Sequence, residues 1–183
     1  MKIVKFLLTI ICVYSLSFQS SIADDAKMKK GLEIFNETAG CAGCHALKAA
    51  GEDMNADYIK KSISWLKNKQ NKDGGWGEDC ATYWEKNKNM DSIKSMPTQT
   101  SWAILSLLIT EKVNDPAIEN GIKFLKKNFN KKILWKDNHF NAVGFPKVFY
   151  ITYHGYAKYF TSWALSRYVN LKKGNKNNRI MGL

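Results

Sequence analysis

Phe145, Phe149, Tyr153 and Tyr156 stand four, four and three residues apart in the run Gly144-Phe145-Pro146-Lys147-Val148-Phe149-Tyr150-Ile151-Thr152-Tyr153-His154-Gly155-Tyr156. On a helix that spacing sets four rings on one face. Pro146 suits the first turn of such a helix, where its missing N–H costs nothing. A stripe of this kind either packs a core or walls a cavity, and in a cavity its ring faces stabilise a cation without reacting with it. A second group points to different chemistry. Cys41-Ala42-Gly43-Cys44-His45 is a C-x-x-C-H motif. Two thiols at that spacing reach the two vinyl groups of one haem, and the adjoining imidazole reaches the iron. The alternatives are a redox C-x-x-C or half of a zinc site. The first lacks its βαβ context, and the second lacks another ligand pair. The expectation is therefore covalent haem c on Cys41 and Cys44 with His45 as an axial ligand. Met54, nine residues past His45, is too near to supply the second axial position. Met90 and Met96 belong to another pattern, so no second ligand is assigned. His139 reads as a solvated loop residue, and His154 as one step off the aromatic stripe.

These groups need elements to carry them. Ile59, Ile63 and Leu66 form an apolar stripe at helical period, stopped by the turn Asp73-Gly74-Gly75. Gln70 and Trp76 flank that turn, an amide placed to bond backbone and an indole placed to pack on the next helix. After a polar loop, Pro97 to Ile109 is apolar nearly all round and predicts an inner, buried helix. Asn114-Asp115-Pro116 caps a third helix, with Ile118, Ile122, Leu125 and Phe129 as its buried stripe. An internal repeat links the first and third segments. Ser62 to Trp76 spans the same distance as Gly121 to Trp135, with Phe129 standing in place of Gln70 and Ile133-Leu134 in place of the glycine pair. The repeated unit is helix, turn with tryptophan, helix, and such units bury their faces only by stacking.

The chain has 183 residues and a formal charge of +12. That length suits one ordinary domain, or a small one with an appendage. Only Arg167 and Arg179 among its 28 basic residues are arginines. Lysine presents point charges rather than bidentate forks, so the balance fits an anionic membrane surface or a solvated Lys/Asn-rich surface better than base reading, and no nucleic-acid motif is present. Six Trp, eight Tyr and nine Phe make the chain rich in aromatics. Residues 1–23 read as a secretory signal peptide: basic Lys2 and Lys5, an apolar run from Phe6 to Leu16, and small residues at Ser21 and Ala23 before Asp24. Cleavage there removes Cys12 and addresses the chain for export, to the periplasm or beyond, with membrane association possible.

Two resemblances follow from these residues. Gly31-Leu32-Glu33-Ile34-Phe35 followed by Cys41 to Leu47 resembles the start of a class I cytochrome c. Gln70 to Cys80, Pro97 to Leu108, Gly144 to Tyr156 and Phe160 to Tyr168 resemble, in order and in one register, the C-terminal end of squalene-hopene cyclases. The second resemblance implies an all-α fold: a fragment of a terpenoid-cyclase α/α barrel (toroid), here preceded by a short cytochrome c-like helix and loop. The domains expected are a signal peptide over 1–23, a haem-attachment segment over 24–57, a cyclase-like part over 58–171 and a basic tail over 172–183. By the same resemblance Phe145, Phe149, Tyr153 and Tyr156 match the aromatic positions that face cyclising carbocations, the substrate is a squalene-like apolar polyene, and the cyclase part needs no cofactor. Cys80 matches a family cysteine within the turn motif. The family starts its reaction from a D-x-D-D acid well upstream of the matched region, and no D-x-D-D occurs in these 183 residues. The expectation is a cyclase C-terminal domain inactive alone and dependent on a partner chain for the acid half. The alternatives are a small exported haem protein whose helical part binds an apolar ligand or membrane lipid, and a chimera of two genes.

Overall fold

The computed structural model describes residues 52–87 and 93–174. The signal peptide, the short helix before the haem motif, Cys41, Cys44, His45, Met90 and residues 175–183 of the tail lie outside the described residues. The described residues form helices α1 (Asp57–Asn68), α2 (Pro97–Thr110), α3 (Pro116–Lys127) and α4 (Tyr156–Lys172). Between α3 and α4 runs an antiparallel hairpin of β1 (Ala142–Phe145) and β2 (Phe149–Ile151). Short 3-10 turns at Cys80–Tyr83 and Glu85–Asn87 occupy part of the loop before α2.

The inner helix is α2. It packs against α4, α3 and α1, and Ala103, Ile104, Leu105 and Leu107 are buried along it. Its sequence is apolar nearly all round because neighbours cover it on several sides. Against α4 the contact includes Ala157 and Ala164, small enough for close approach, and the Ser101 and Thr161 hydroxyls, 2.9 Å apart, satisfy each other inside it. The stripe Ile59, Ile63 and Leu66 of α1 is buried as its period predicts. At the start of α3, Pro116 takes the first helical turn and the Asp115 carboxylate accepts from Ala117 N at 2.9 Å. The same carboxylate pairs with Lys67 Nζ at 2.8 Å, tying the start of α3 to the end of α1. Ile118, Ile122 and Leu125 are buried. Phe129 lies beyond the end of α3 and is half-exposed, which corrects its place in the stripe.

The repeat has a structural counterpart. Trp76 Nε1 donates to Leu66 O at 2.7 Å, and Trp135 Nε1 donates to Leu125 O at 2.9 Å. Each indole bonds a carbonyl in the last turn of the helix before it, where the helix leaves its carbonyls short of partners. In the first copy Gln70 Nε2 also donates to Gly74 O and to Ala117 O, both at 2.8 Å. Gly74 sits at φ 88°, and a Cβ there would lie 2.5 Å from Asn120 O, so the turn needs a glycine on both grounds.

The all-α expectation is corrected by the hairpin. Phe145 to Tyr153 is not helical. Pro146 and Lys147 form the corner of a β-turn closed by Val148 N donating to Phe145 O at 3.0 Å. Lys147 takes φ 67°, the positive angle required at the third position of a type II turn, and proline suits the second. No described helix is long and apolar enough to cross a membrane.

Candidate functional site

The aromatic residues singled out by spacing fall into two pairs. Phe145 and Phe149 are cross-strand partners, and their rings meet edge to face at 5.5 Å. They share a face because the strands pair, not because a helix turns. The strand register shifts between Val143 and Phe145, and a Cβ on Gly144 would fall 1.9 Å from the Phe149 ring. That glycine makes the ring's position possible. Tyr153 follows β2, Tyr156 opens α4, and their rings stack at 4.7 Å.

From Tyr156 onward the wall continues on residues that spacing had not assigned to it. Phe160 meets Tyr156 at 5.1 Å, and Trp102 of α2 meets Phe160 at 5.2 Å and Tyr156 at 6.0 Å, all edge to face or nearly so. Trp163 stacks on Phe160 at 6.1 Å. Tyr156, Phe160 and Trp163 are spaced four and three on a true helix, so this part was visible as a stripe. Trp102 was hidden in a helix whose every face is apolar. Phe145 is 64 % exposed, and Phe149 and Tyr153 are each 45 % exposed. Phe145 and Phe149 are thus bare rings on a structured hairpin, and Tyr153 follows it.

A buried polar knot holds that hairpin. Asn141 is 5 % exposed and grips Tyr153 from both sides: its Oδ1 accepts from Tyr153 N at 2.8 Å and its Nδ2 donates to Tyr153 O at 3.0 Å. The same Nδ2 donates to Asp137 Oδ2 at 2.9 Å. Asp137, also buried, accepts from Thr98 N at 3.1 Å and from the Thr98 hydroxyl. It therefore caps α2 and fixes Asn141 together. Asp137 and Asn141 carry no periodic signal. Their adjacency to Trp135 in a polar loop was the only hint.

Other chemistry-bearing groups lie in the first turn motif. Burial pushes the Glu78 carboxyl above its usual range, and a hydrogen bond with Gln99 partly offsets this. Burial raises the Cys80 thiol to about 11, with the charges of Glu78 and Asp79 adding to the effect. Cys80 is a free, buried cysteine, as its sequence context suggested. His154 is exposed and His139 half-buried. Met96 is buried at the start of α2. Among the described residues no group of three or more His, Cys, Asp or Glu could hold a metal ion. A cleft of about 340 Å³ between Met54, Ile59, Ile63, Lys67 and Glu111 contains none of the aromatic wall residues.

The wall can do one thing well. Rings offer quadrupoles to a positive centre, worth ~2 kcal/mol or more when desolvated, and they carry no nucleophile to trap it. The nearest carboxylate bonded to the hairpin, Asp137, has its oxygens engaged from beneath.

Comparison with known proteins gives this geometry a family. The model described as the squalene-hopene cyclase C-terminal domain matches residues 35–170. The match takes in all the described helices and begins within the segment that contains Cys41, Cys44 and His45. A squalene-hopene cyclase of Bradyrhizobium diazoefficiens is 44 % identical over 138 residues, covering 75 % of this chain and 21 % of that protein. A squalene-hopene cyclase of Zymomonas mobilis is 46 % identical over 131 residues, covering 72 % of this chain and 20 % of that protein. A lanosterol synthase of Saccharomyces cerevisiae is 36 % identical over 116 residues, covering 59 % of this chain and 16 % of that protein. The chain thus spans about a fifth of the length of the curated squalene-hopene cyclases it matches. With its paired tryptophan-closed turns and its aromatic wall, the chain belongs to the family of squalene-hopene cyclase C-terminal domains.

Proposed function

We propose that this chain supplies the aromatic end wall of a cavity in which a squalene-like polyene is cyclised through carbocations, the acid being supplied by a partner chain. The observation that carries the reading is two groups of rings, the exposed pair Phe145–Phe149 on the hairpin and the pair Tyr153–Tyr156 continued through Phe160 and Trp102, with the Tyr153 backbone held by the Asp137–Asn141 knot. A cyclisation needs a strong acid to protonate an alkene and a dry, non-nucleophilic surface to carry the charge afterwards. The ring faces offer the charge-stabilising part of the second need, and the exposure of Phe145, Phe149 and Tyr153 leaves the exclusion of water to a cover supplied by the partner. No D-x-D-D occurs in the sequence to meet the first.

The test is a graft. Residues 58–171 replace the matching segment of one of the bacterial squalene-hopene cyclases above, and squalene conversion is measured. The proposal expects cyclic product, with a marked loss on Phe149→Ala or Tyr156→Ala. A folded, membrane-competent graft that makes no product would overturn it.

A second role rests on Cys41-Ala42-Gly43-Cys44-His45. We propose that the exported chain carries haem c on those two cysteines with His45 on the iron, an electron-transfer group beside a helical part that meets apolar ligand or lipid. Expression with a haem-maturation system, followed by mass measurement of the intact chain, tests it. A haem adduct lost in Cys41→Ala/Cys44→Ala is expected, and an unmodified chain would remove the proposal.

A further inference from the structure

The corner of the hairpin carries a positive charge. Lys147 stands in the turn between Phe145 and Phe149, the cross-strand ring pair, two residues from each. A free ammonium at that corner would oppose a cation held at those rings, and more strongly once water is excluded.

The ammonium is held by a ring. Lys147 Nζ lies over the indole of Trp84, 5.8 Å from the ring centroid, within the reach of a cation–π contact. Among the described residues no salt bridge includes Lys147. Lys172 differs in this respect: it lies over Tyr168 at 5.6 Å and also pairs with Glu119 at 2.9 Å. A carboxylate beside a carbocation would trap it or take its proton. An indole face holds an ammonium and offers neither nucleophile nor base.

Both sides of the contact are built. In the loop before α2, Asp79 Oδ1 accepts from Ala81 N at 2.8 Å, the Thr82 hydroxyl donates to Asp79 O at 2.7 Å, and Trp84 N donates to Ala81 O at 3.1 Å. In the hairpin, Lys147 N donates to the Tyr150 hydroxyl at 2.9 Å. Tyr150 in turn stacks on Tyr83 at 6.2 Å and meets Phe140 at 5.9 Å. These bonds and stacks hold the corner's backbone without Trp84. Trp84 is itself 48 % exposed, so core packing does not account for it. What it adds is a place for the Lys147 charge.

We propose that Trp84 is a positioning residue of the aromatic wall, acting through Lys147: it keeps the ammonium on the loop before α2 rather than at Phe145 and Phe149. The inference rests on the carbocation reading of the wall and adds a demand to it. The rings need surroundings cleared of positive charge as well as of nucleophiles.

The graft of residues 58–171 described above carries both residues, and its steady-state squalene conversion tests the inference. Trp84→Ala should lower kcat by roughly tenfold with KM little changed, as expected for an ammonium released near a cation at intermediate dielectric. Lys147→Gln alone should leave kcat unchanged, and adding it to Trp84→Ala should restore kcat. Trp84→Phe, which keeps a ring face, should lose less than Trp84→Ala. In the full chain, the lysines are dimethylated with labelled carbon and the Lys147 signal is identified by its loss in Lys147→Arg. That signal should be moved upfield by the indole and should return to the ordinary lysine position in Trp84→Ala. The inference alone is overturned if the graft makes product and Trp84→Ala matches it, if the double variant stays as low as Trp84→Ala, or if the Lys147 signal shows no ring shift. A folded graft that makes no product overturns the reading of the wall and this inference with it.

Discussion

Asn141 carries more of the site's geometry than any aromatic residue. It fixes the backbone of Tyr153 with two hydrogen bonds and passes that restraint to Asp137 and the start of α2. Asn141→Ala removes these bonds and strands buried groups on Tyr153 and Asp137, a loss of about 1–3 kcal/mol. A urea titration should show that loss, and amide exchange at Tyr153 should quicken before exchange in α2 does. Cys80 gives a second prediction at this scale. Its folded thiol is raised from the ordinary 9.0 to about 11. A raised acid stabilises the fold below its unfolded value and loses that contribution as pH climbs through the folded one. Stability should therefore fall between pH 9 and 11, and Cys80→Ala should flatten that slope. Alkylation at pH 8 should be slow until the protein is unfolded. Residues of this kind were partly legible beforehand. A free Cys80 is what remains if Cys41 and Cys44 hold haem, whereas Asn141 and Asp137 act through bonds to distant backbone that no spacing rule encodes.

At the scale of elements, helices read well and the hairpin did not. Ile59, Ile63 and Leu66 are buried at the predicted period, and Asp115-Pro116 starts α3 as predicted. The aromatic spacing of four, four and three fits a helix, yet Val143, Val148, Tyr150, Ile151 and Thr152 favour strands, and Pro146-Lys147 is turn chemistry. Cross-strand pairing brings Phe145 onto Phe149 just as a helical turn would, so one spacing served two structures. Gly144→Val tests the hairpin: its branched side chain would collide with the Phe149 ring, 1.9 Å from a Cβ at that position. Near-UV dichroism should lose aromatic signal while far-UV helix signal holds. The repeat supplies a comparison between its two copies. Gln70→Ala should destabilise more than Phe129→Ala, because Gln70 bonds two backbone carbonyls and Phe129 is half-exposed. Equal losses by chemical denaturation would contradict the view that the second copy has given up its clamp.

For the whole molecule, the family is settled by the match over residues 35–170, and the chain spans about a fifth of the length of the squalene-hopene cyclases it matches. Phe145, Phe149 and Tyr153 are exposed on it. The helical part was legible because its units leave repeated tryptophans and a buried inner helix. The most direct measurement is squalene conversion by the full chain mixed with a Zymomonas mobilis squalene-hopene cyclase truncated before the segment that this chain matches. The truncated cyclase rejoined by its own C-terminal segment serves as reference. Cyclic triterpene is expected only when both parts are present, at a rate that drops when Phe149 or Tyr156 is changed to alanine. A mixture that makes no product while the reference pair does would contradict a working cavity wall.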